Sequence, residues 1–304
     1  MEQLLRVAVD GLSFASYLFL VSAGLTFIYG VMRILNVAHG SLYGLGAYMA
    51  AWLVLRLWPG GAPGALALPP VWSYGVLLLA ALIIGLVVGP LLERVFIQRV
   101  VDRGEVIPLV LTFALFLMLE DIMKLIWGVN PLGADLPYAM LGAVSLAGVN
   151  YPVYPFLLTG VAVVAAAALW LIINRSRFGK LVIAVIADRE VSRALGIDVP
   201  RIYTFAFTLG AVLAALGGAF SAPMISVVPG VSVEVIILAF AVTTIGGLGS
   251  IGGAAIGALL VGVLRAAAVH YVPELDLFVI YALMTAILLV KPRGLFGGVE
   301  VRRI

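Results

Sequence analysis

Nine apolar runs constrain this chain more than anything else in it: Gly11–Met32, Gly40–Leu57, Trp72–Leu92, Val106–Trp127, Pro152–Ile173, Ile202–Ala222, Val233–Ile245, Ala254–Tyr271 and Leu277–Val290. Most come close to the ~20 residues a helix needs to cross ~30 Å of hydrocarbon. The runs are continuous rather than alternating, which favours helices over the strands of a barrel. In lipid, backbone groups must pair internally, and helices do so. A soluble core could not hide this much apolar surface: 64% of the 304 residues are hydrophobic and mean hydropathy is +1.21. Charged residues make up 11%, against ~25% in soluble domains. The expected fold is all-α, a polytopic transmembrane helix bundle of about eight or nine spans, read as one domain over residues 1–304. The 34 glycines suit closely packed membrane helices. The seventh run is short and leads into glycines, so a broken or re-entrant segment is expected there.

Lys and Arg orient the bundle. Arg94, Arg99 and Arg103 fill one loop; Arg175, Arg177, Lys180, Arg189, Arg193 and Arg201 fill another; Lys291, Arg293, Arg302 and Arg303 lie in the tail. The stretches Pro59–Val71, Gly128–Tyr151 and Pro223–Ser232 hold no Lys or Arg. The first group is expected in the cytoplasm and the second outside. Nine full crossings put the N-terminus outside; one incomplete crossing leaves its side open. Residues Met1 to Asp10 lack the basic region of a signal peptide.

Zero cysteines remove thiolate chemistry and Cys-ligated metals, and His39 and His270 are the only histidines. No metal site and no cofactor are expected. The +3 net charge is concentrated in loops and reads as topology, not nucleic-acid binding.

Three segments stand out. The turn Arg33–Ser41 carries Asn36, His39 and Ser41 in apolar surroundings, and Ser41 or Asn36 suits the N-cap of the following helix. Gly40, Gly44 and Ala47 share a face at helical spacing. That face is either a packing seam or the wall of a substrate path lined by Asn36, His39, Gly40, Ser41 and Gly44. In the longest basic loop, Ala187–Ile197 reads as a short amphipathic helix ended by Gly196. Its polar surface comes from Asp188, Arg189, Glu190 and Arg193, with Val191, Ala194 and Leu195 at three- and four-residue spacing. Such a helix lies on the lipid surface or docks into a partner. The third segment, Thr243–Gly253, has five glycines between Gly246 and Gly253 and cannot sustain a robust helix. It is no phosphate-binding loop, because no Gly-Lys-Ser/Thr follows. It is a tight turn, a pore element or a second partner contact, with Thr244, Gly246, Gly247, Gly249 and Gly253 as its candidate residues.

Scattered charges complete the list. Glu120 and Lys124 stand four apart and can pair. Arg265 lies inside the eighth run, and Glu274 or Asp276 reaches it only if the chain bends back. Intramembrane ionisable groups are functional candidates unless pairing accounts for them.

Taken in order, these segments resemble the inner-membrane permeases of branched-chain amino acid ABC importers, the LivH type. The resemblance rests on Gly24–Gly30 with Tyr29, on Leu35-Asn36-Val37-Ala38-His39-Gly40, and on Gly46-Ala47-Tyr48. Ala187-Asp188 with Ala194-Leu195-Gly196-Ile197, the Gly246–Gly257 run and the ending Lys291–Gly297 complete it. It implies a type II-like ABC importer permease in the cell inner membrane. It also implies a second permease subunit, identical or homologous, two cytoplasmic ATPase subunits and an external amino-acid-binding protein. With no Walker motif in the chain, ATP hydrolysis is expected from the separate ATPases. The element that touches them is expected at Ala187–Gly196, through Ala187, Asp188, Glu190, Arg193, Ala194 and Gly196, with the Gly246–Gly253 turn as rival. An ion-coupled secondary transporter is the alternative, but it should show inverted repeats around a midplane ion site. A membrane enzyme should show clustered catalytic groups, and none cluster here.

Overall fold

A computed structural model describes residues 2–62, 64, 68–146 and 148–297. Part of the loop at 59–71, and Arg302 and Arg303 of the basic tail, lie outside the described residues. The helices are α1 (Glu2–Met32), α2 (His39–Leu57), α3 (Trp72–Ile83), α4 (Gly89–Val95), α5 (Val106–Trp127), α6 (Leu136–Met140), α7 (Tyr154–Arg175), α8 (Arg177–Ala187), α9 (Arg189–Ala194), α10 (Val199–Ser221), α11 (Val231–Gly246), α12 (Ile251–Tyr271) and α13 (Asp276–Val290). Between α6 and α7 a small antiparallel hairpin pairs β1 (Ala143–Leu146) with β2 (Val149–Pro152), Ala143 opposite Pro152.

All nine apolar runs are helical, and the architecture is an all-α polytopic bundle. Among the described residues, seven helical stretches are long and apolar enough to cross a membrane. One is Trp72–Arg99, where α3 and α4 are joined by a π-helical turn, Ile84–Val88. Gly85 and Gly89 let this stretch press against α10: a Cβ on Gly85 would lie 2.5 Å from Val212 Cα. The short seventh run is not broken. It forms α11, a continuous apolar helix of 16 residues.

α1 and α10 form the centre, with most of their side chains buried, while α7 and α13 lie at the periphery. α1 packs along α10 and α12. It runs antiparallel to α10: Gly217 meets Tyr17 and Val21, and Gly210 meets Gly24 and Ile28. At the far end of α1, Gly30 meets Gly249, so the glycine turn shares an end of the bundle with Arg33. Arg33 in turn lines a cleft with Asp102 and Arg189. The described basic segments therefore gather at one end. At the other end Leu132 pairs with Val227, and the Tyr74 hydroxyl donates to Pro137 O at 2.9 Å. The asymmetry makes the basic end cytoplasmic and places the start of α1 outside.

Local chemistry sets the helix boundaries near the cytoplasmic end. Ser176, Asp188 and Asp198 each accept a backbone N–H as N-caps of α8, α9 and α10. The 31 residues of α1, ~46 Å at 1.5 Å per residue, exceed the hydrocarbon thickness.

Candidate functional site

The turn between α1 and α2 is exposed at Arg33, where it borders the cytoplasmic cleft. From there it folds back inside the bundle. Arg33 takes a positive φ of 57°, which reverses the chain. Val37 N–H then donates to Thr112 Oγ1 of α5 at 3.2 Å, and that hydroxyl donates to Leu35 O. Asn36, His39 and Ser41 are fully buried. Neither Ser41 nor Asn36 caps α2: the N-cap is Ala38, without a side-chain hydrogen bond. The polar side chains are engaged elsewhere. His39 Nε2 lies 3.0 Å from Val21 O of α1, and Ser41 Oγ donates toward Phe116 O of α5 at 3.4 Å. Both polar side-chain atoms of Asn36 and Nδ1 of His39 are buried with no hydrogen-bond partner among the described residues.

The small-residue face of α2 is occupied. A Cβ on Gly40 would lie 2.6 Å from Ile236 Cβ of α11, and Gly44 faces Ser232 of α11 and Met123 of α5. Tyr43 bonds Ser221 at 2.7 Å, and Tyr48 stacks on Trp127 with ring centroids 5.5 Å apart. The structure brings Asn36, His39, Gly40, Ser41 and Gly44 together in the interior of the single chain, where α1, α5, α10 and α11 meet.

At the cytoplasmic end, the short helix expected at Ala187–Ile197 is α9, with its first turn two residues later than expected. α8 ends at Ala187, and Asp188 is an extended N-cap whose Oδ1 accepts from Glu190 N–H at 3.0 Å and Val191 N–H at 3.1 Å. α9 follows, and Gly196 ends it at φ 82°, as its position suggests. One carboxylate pins α9 to the α4–α5 loop: Asp102 receives Arg189 at 2.6 Å and Arg193 at 3.3 Å. Arg189 also donates to the Tyr203 hydroxyl at 3.1 Å. That bond is the main reason its guanidinium is held above its usual pKa. Asp102, Arg189 and Tyr203 border a cleft of about 440 Å³ between the end of α1, the α4–α5 loop and the α8–α9 corner. Glu190, Val191, Arg193, Ala194 and Leu195 remain exposed, Leu195 at 77%. Asp102 had no sequence signal as a partner, because it is 87 residues from Arg189 and local spacing cannot reveal such pairs.

Most of the glycine segment is helical, Thr243–Gly246 ending α11 and Ile251–Gly253 opening α12, and only residues 247–250 form a tight turn between them. Gly247 and Gly249 take φ of 102° and 85°, conformations that disfavour a Cβ. Ser250 Oγ accepts Gly253 N–H at 3.0 Å and starts α12. Gly246 and Gly253 touch backbone to backbone. The C-terminal segment covers the turn: Leu295 N–H donates to Ile245 O at 2.8 Å and Phe296 N–H to Gly246 O at 3.0 Å. Thr244 O sits against Gly294.

The charges inside the bundle find partners, Asp276 among those expected and several others beyond the reach of local spacing. Lys124 pairs with Asp121 at 2.9 Å, not with Glu120. Glu120 accepts Gly230 N–H at 3.2 Å, at the start of α11. The chain does bend back after α12, through a 3₁₀ turn at Pro273–Leu275. Arg265 therefore meets Asp276 at 2.7 Å, and it also reaches Glu234 of α11 at 3.0 Å and lies 3.9 Å above the Phe14 ring of α1. His270 pairs with Asp10 at 2.7 Å. Glu93, buried on α4, accepts from Thr204 of α10 at 2.6 Å.

Residues 7–288 match the family described as branched-chain amino acid transport system, permease component. Among curated proteins, the chain is 29% identical to the high-affinity branched-chain amino acid transport system permease protein BraD of Pseudomonas aeruginosa, covering 99% of this chain and 98% of that protein. It is 27% identical to the corresponding permease protein LivH of Escherichia coli K12, over 99% and 97%. It is also 24% identical to the ribose import permease protein RbsC of Haemophilus influenzae, over 81% and 72%. All three are permease proteins by name.

Proposed function

Because this chain belongs to the branched-chain amino acid transport permease family, we propose that it is a single permease domain pairing with a second permease subunit to form the translocation path for branched-chain or related hydrophobic amino acids. An external binding protein delivers the substrate, and two cytoplasmic ATPase subunits drive alternating access. The chain supplies the path and no chemistry of its own. Its permease role and its place in the cell membrane follow from family and architecture; the individual partners are the proposed part. The match across residues 7–288, nearly the whole bundle, carries this reading.

In this scheme α9 is the element that engages the ATPase. It is held at the cytoplasmic end by Asp102 and presents Glu190, Arg193 and Ala194 beside exposed Val191 and Leu195. Ala187, Asp188 and Gly196 set the two corners that project it. An exposed apolar pair framed by charges suits a groove in a partner. The turn at Thr244, Gly246, Gly247, Gly249 and Gly253 ranks second as a coupling or pore element, because the C-terminal segment already covers it. Asn36, His39, Gly40, Ser41 and Gly44 contribute to the path as the packed inner wall behind it, where unpartnered Asn36 and His39 atoms suit bound water.

Uptake of labelled leucine into proteoliposomes tests the scheme. ATP-driven uptake should require both ATPases and the binding protein. Uptake by this chain alone under a proton or sodium gradient would overturn it in favour of an ion-coupled transporter. Replacing Arg193 and Gly196 together with alanine should separate ATP hydrolysis from transport. Normal coupling in that double variant would remove α9 from its role.

A further inference from the structure

The charged cluster around Arg265 is placed oddly for a structural ion pair. Six residues separate Arg265 from the end of α12 at Tyr271, ~9 Å along the helix. Glu234 stands twelve residues before Gly246, ~18 Å from the cytoplasmic turn. In a hydrocarbon layer ~30 Å thick, both lie at membrane depth, in the outer half. Arg265 is largely enclosed, its side chain 13% exposed, and is held from three sides by Asp276, Glu234 and the Phe14 ring. Glu234 is not enclosed: its side chain is 54% exposed on the chain's surface.

An exposed carboxylate at that depth is costly in lipid, so it has to face water or protein. Its setting favours a watery face. α11 begins inside the bundle, at Gly230, whose N–H is taken by Glu120 well below the outer end of α5. Helices that start at membrane depth mark substrate sites in transporters, because their ends and nearby charges meet the substrate in place of water. The same α11 packs on Gly40 and Gly44 of α2, which ties the cluster to the inner wall described above.

We infer that Glu234 faces the translocation path and acts there as an acceptor for the α-ammonium group of the passing amino acid, with Arg265 holding the carboxylate in place. The inference rests on the permease reading and adds the group that meets the charged end of a substrate whose side chain is apolar. Arg265 neutralises Glu234 when the path is empty. An arriving ammonium adds a second cation on the exposed side. The contact is transient, as a conducting site needs, because Glu234 already has one partner.

The chain has no cysteine, so a single-cysteine variant carries the only thiol of this subunit, and modification is read on this subunit within the assembled transporter. With Glu234→Cys, a cationic, membrane-impermeant methanethiosulfonate reagent applied from outside should modify the thiol, and leucine-loaded binding protein should slow that modification. Val163→Cys, exposed on peripheral α7, should stay unmodified. Glu234→Gln should lower leucine uptake about tenfold, the loss of one charge-assisted contact, while Glu234→Asp keeps most of it. Absence of modification in a complex that hydrolyses ATP, modification that leucine does not slow, or wild-type uptake by Glu234→Gln would each overturn the inference. If the wild-type complex itself fails to take up leucine, the permease reading falls; if it transports and only these outcomes fail, the Glu234 station alone falls.

Discussion

Gly24 and Gly252 both sit in helices, yet alanine should act on them in opposite directions. A Cβ at Gly24 would lie 2.6 Å from Gly210 O and 3.0 Å from the His39 ring, with backbone on the far side. Gly24→Ala should therefore destabilise by ~1–3 kcal/mol, the usual cost of overpacking. At Gly252 nothing lies within 4 Å, so alanine only removes unfolded-chain entropy and should stabilise by ~0.5–1 kcal/mol. Thermal unfolding in detergent separates the two, and equal shifts would contradict the packing described for α1 and α10. Arg265→Met makes the same point for charge. It leaves Asp276 and Glu234 without their cation at membrane depth, and the loss should approach ~3 kcal/mol in the same assay. Some of this residue-scale detail was readable in the sequence. Arg265 announces itself as a cation inside an apolar run, and Asp276 follows as a partner once the chain bends. Glu234 does not, because 31 residues and a helix turn intervene. The spacing of Glu120 and Lys124 misleads for a related reason: an i,i+4 rule ignores the tertiary donor at Gly230, which takes the carboxylate first.

Elements were more legible than contacts, since a run of apolar residues reports its own burial wherever it packs. The nine runs are all helical. The glycine run at 246–253 is a turn only over Gly247–Ser250: Gly246 ends α11, and Gly252 and Gly253 lie in the first turn of α12, so three of its five glycines are helical despite their low propensity. What the runs conceal is how helices begin. Asn36 and Ser41 look like caps for α2, but α2 starts inside protein, where Thr112 and carbonyl groups of neighbouring helices are the available partners. α9 is more legible: the short helix expected at Ala187–Ile197 forms over Arg189–Ala194, started by Asp188 as a strong N-cap and ended at Gly196. Asp102 then decides how α9 is presented. Asp102→Asn weakens both of its ion pairs at once. They are about half exposed, so stability should change by less than ~1 kcal/mol. Coupling should suffer more, with ATP hydrolysis by the assembled transporter responding less to loaded binding protein. Paired unfolding and ATPase measurements check this, and a stability loss with coupling intact would give Asp102 a purely structural role.

For the whole molecule, Lys and Arg placement left one question open, the side on which the chain begins. Packing resolves it. α1 lies antiparallel to α10, and its last turn, at Gly30, touches the glycine turn at Gly249. The start of α1 is therefore at the end of the bundle with the Lys- and Arg-free segments, and positive-inside bias makes that end external. α2 and α11 do not alter the answer, because each begins inside the protein and α2 runs alongside α5 from Thr112 to Trp127. The prediction is a labelling pattern in intact cells, again read through single cysteines. Ser145→Cys, on the exposed hairpin strand, should react with an impermeant maleimide added outside. Leu195→Cys, past the end of α9, should react only after the membrane is opened. The reverse pattern would invert the molecule: α9 would face the binding protein instead of the ATPases, and coupling through Ala187–Gly196 would be physically impossible.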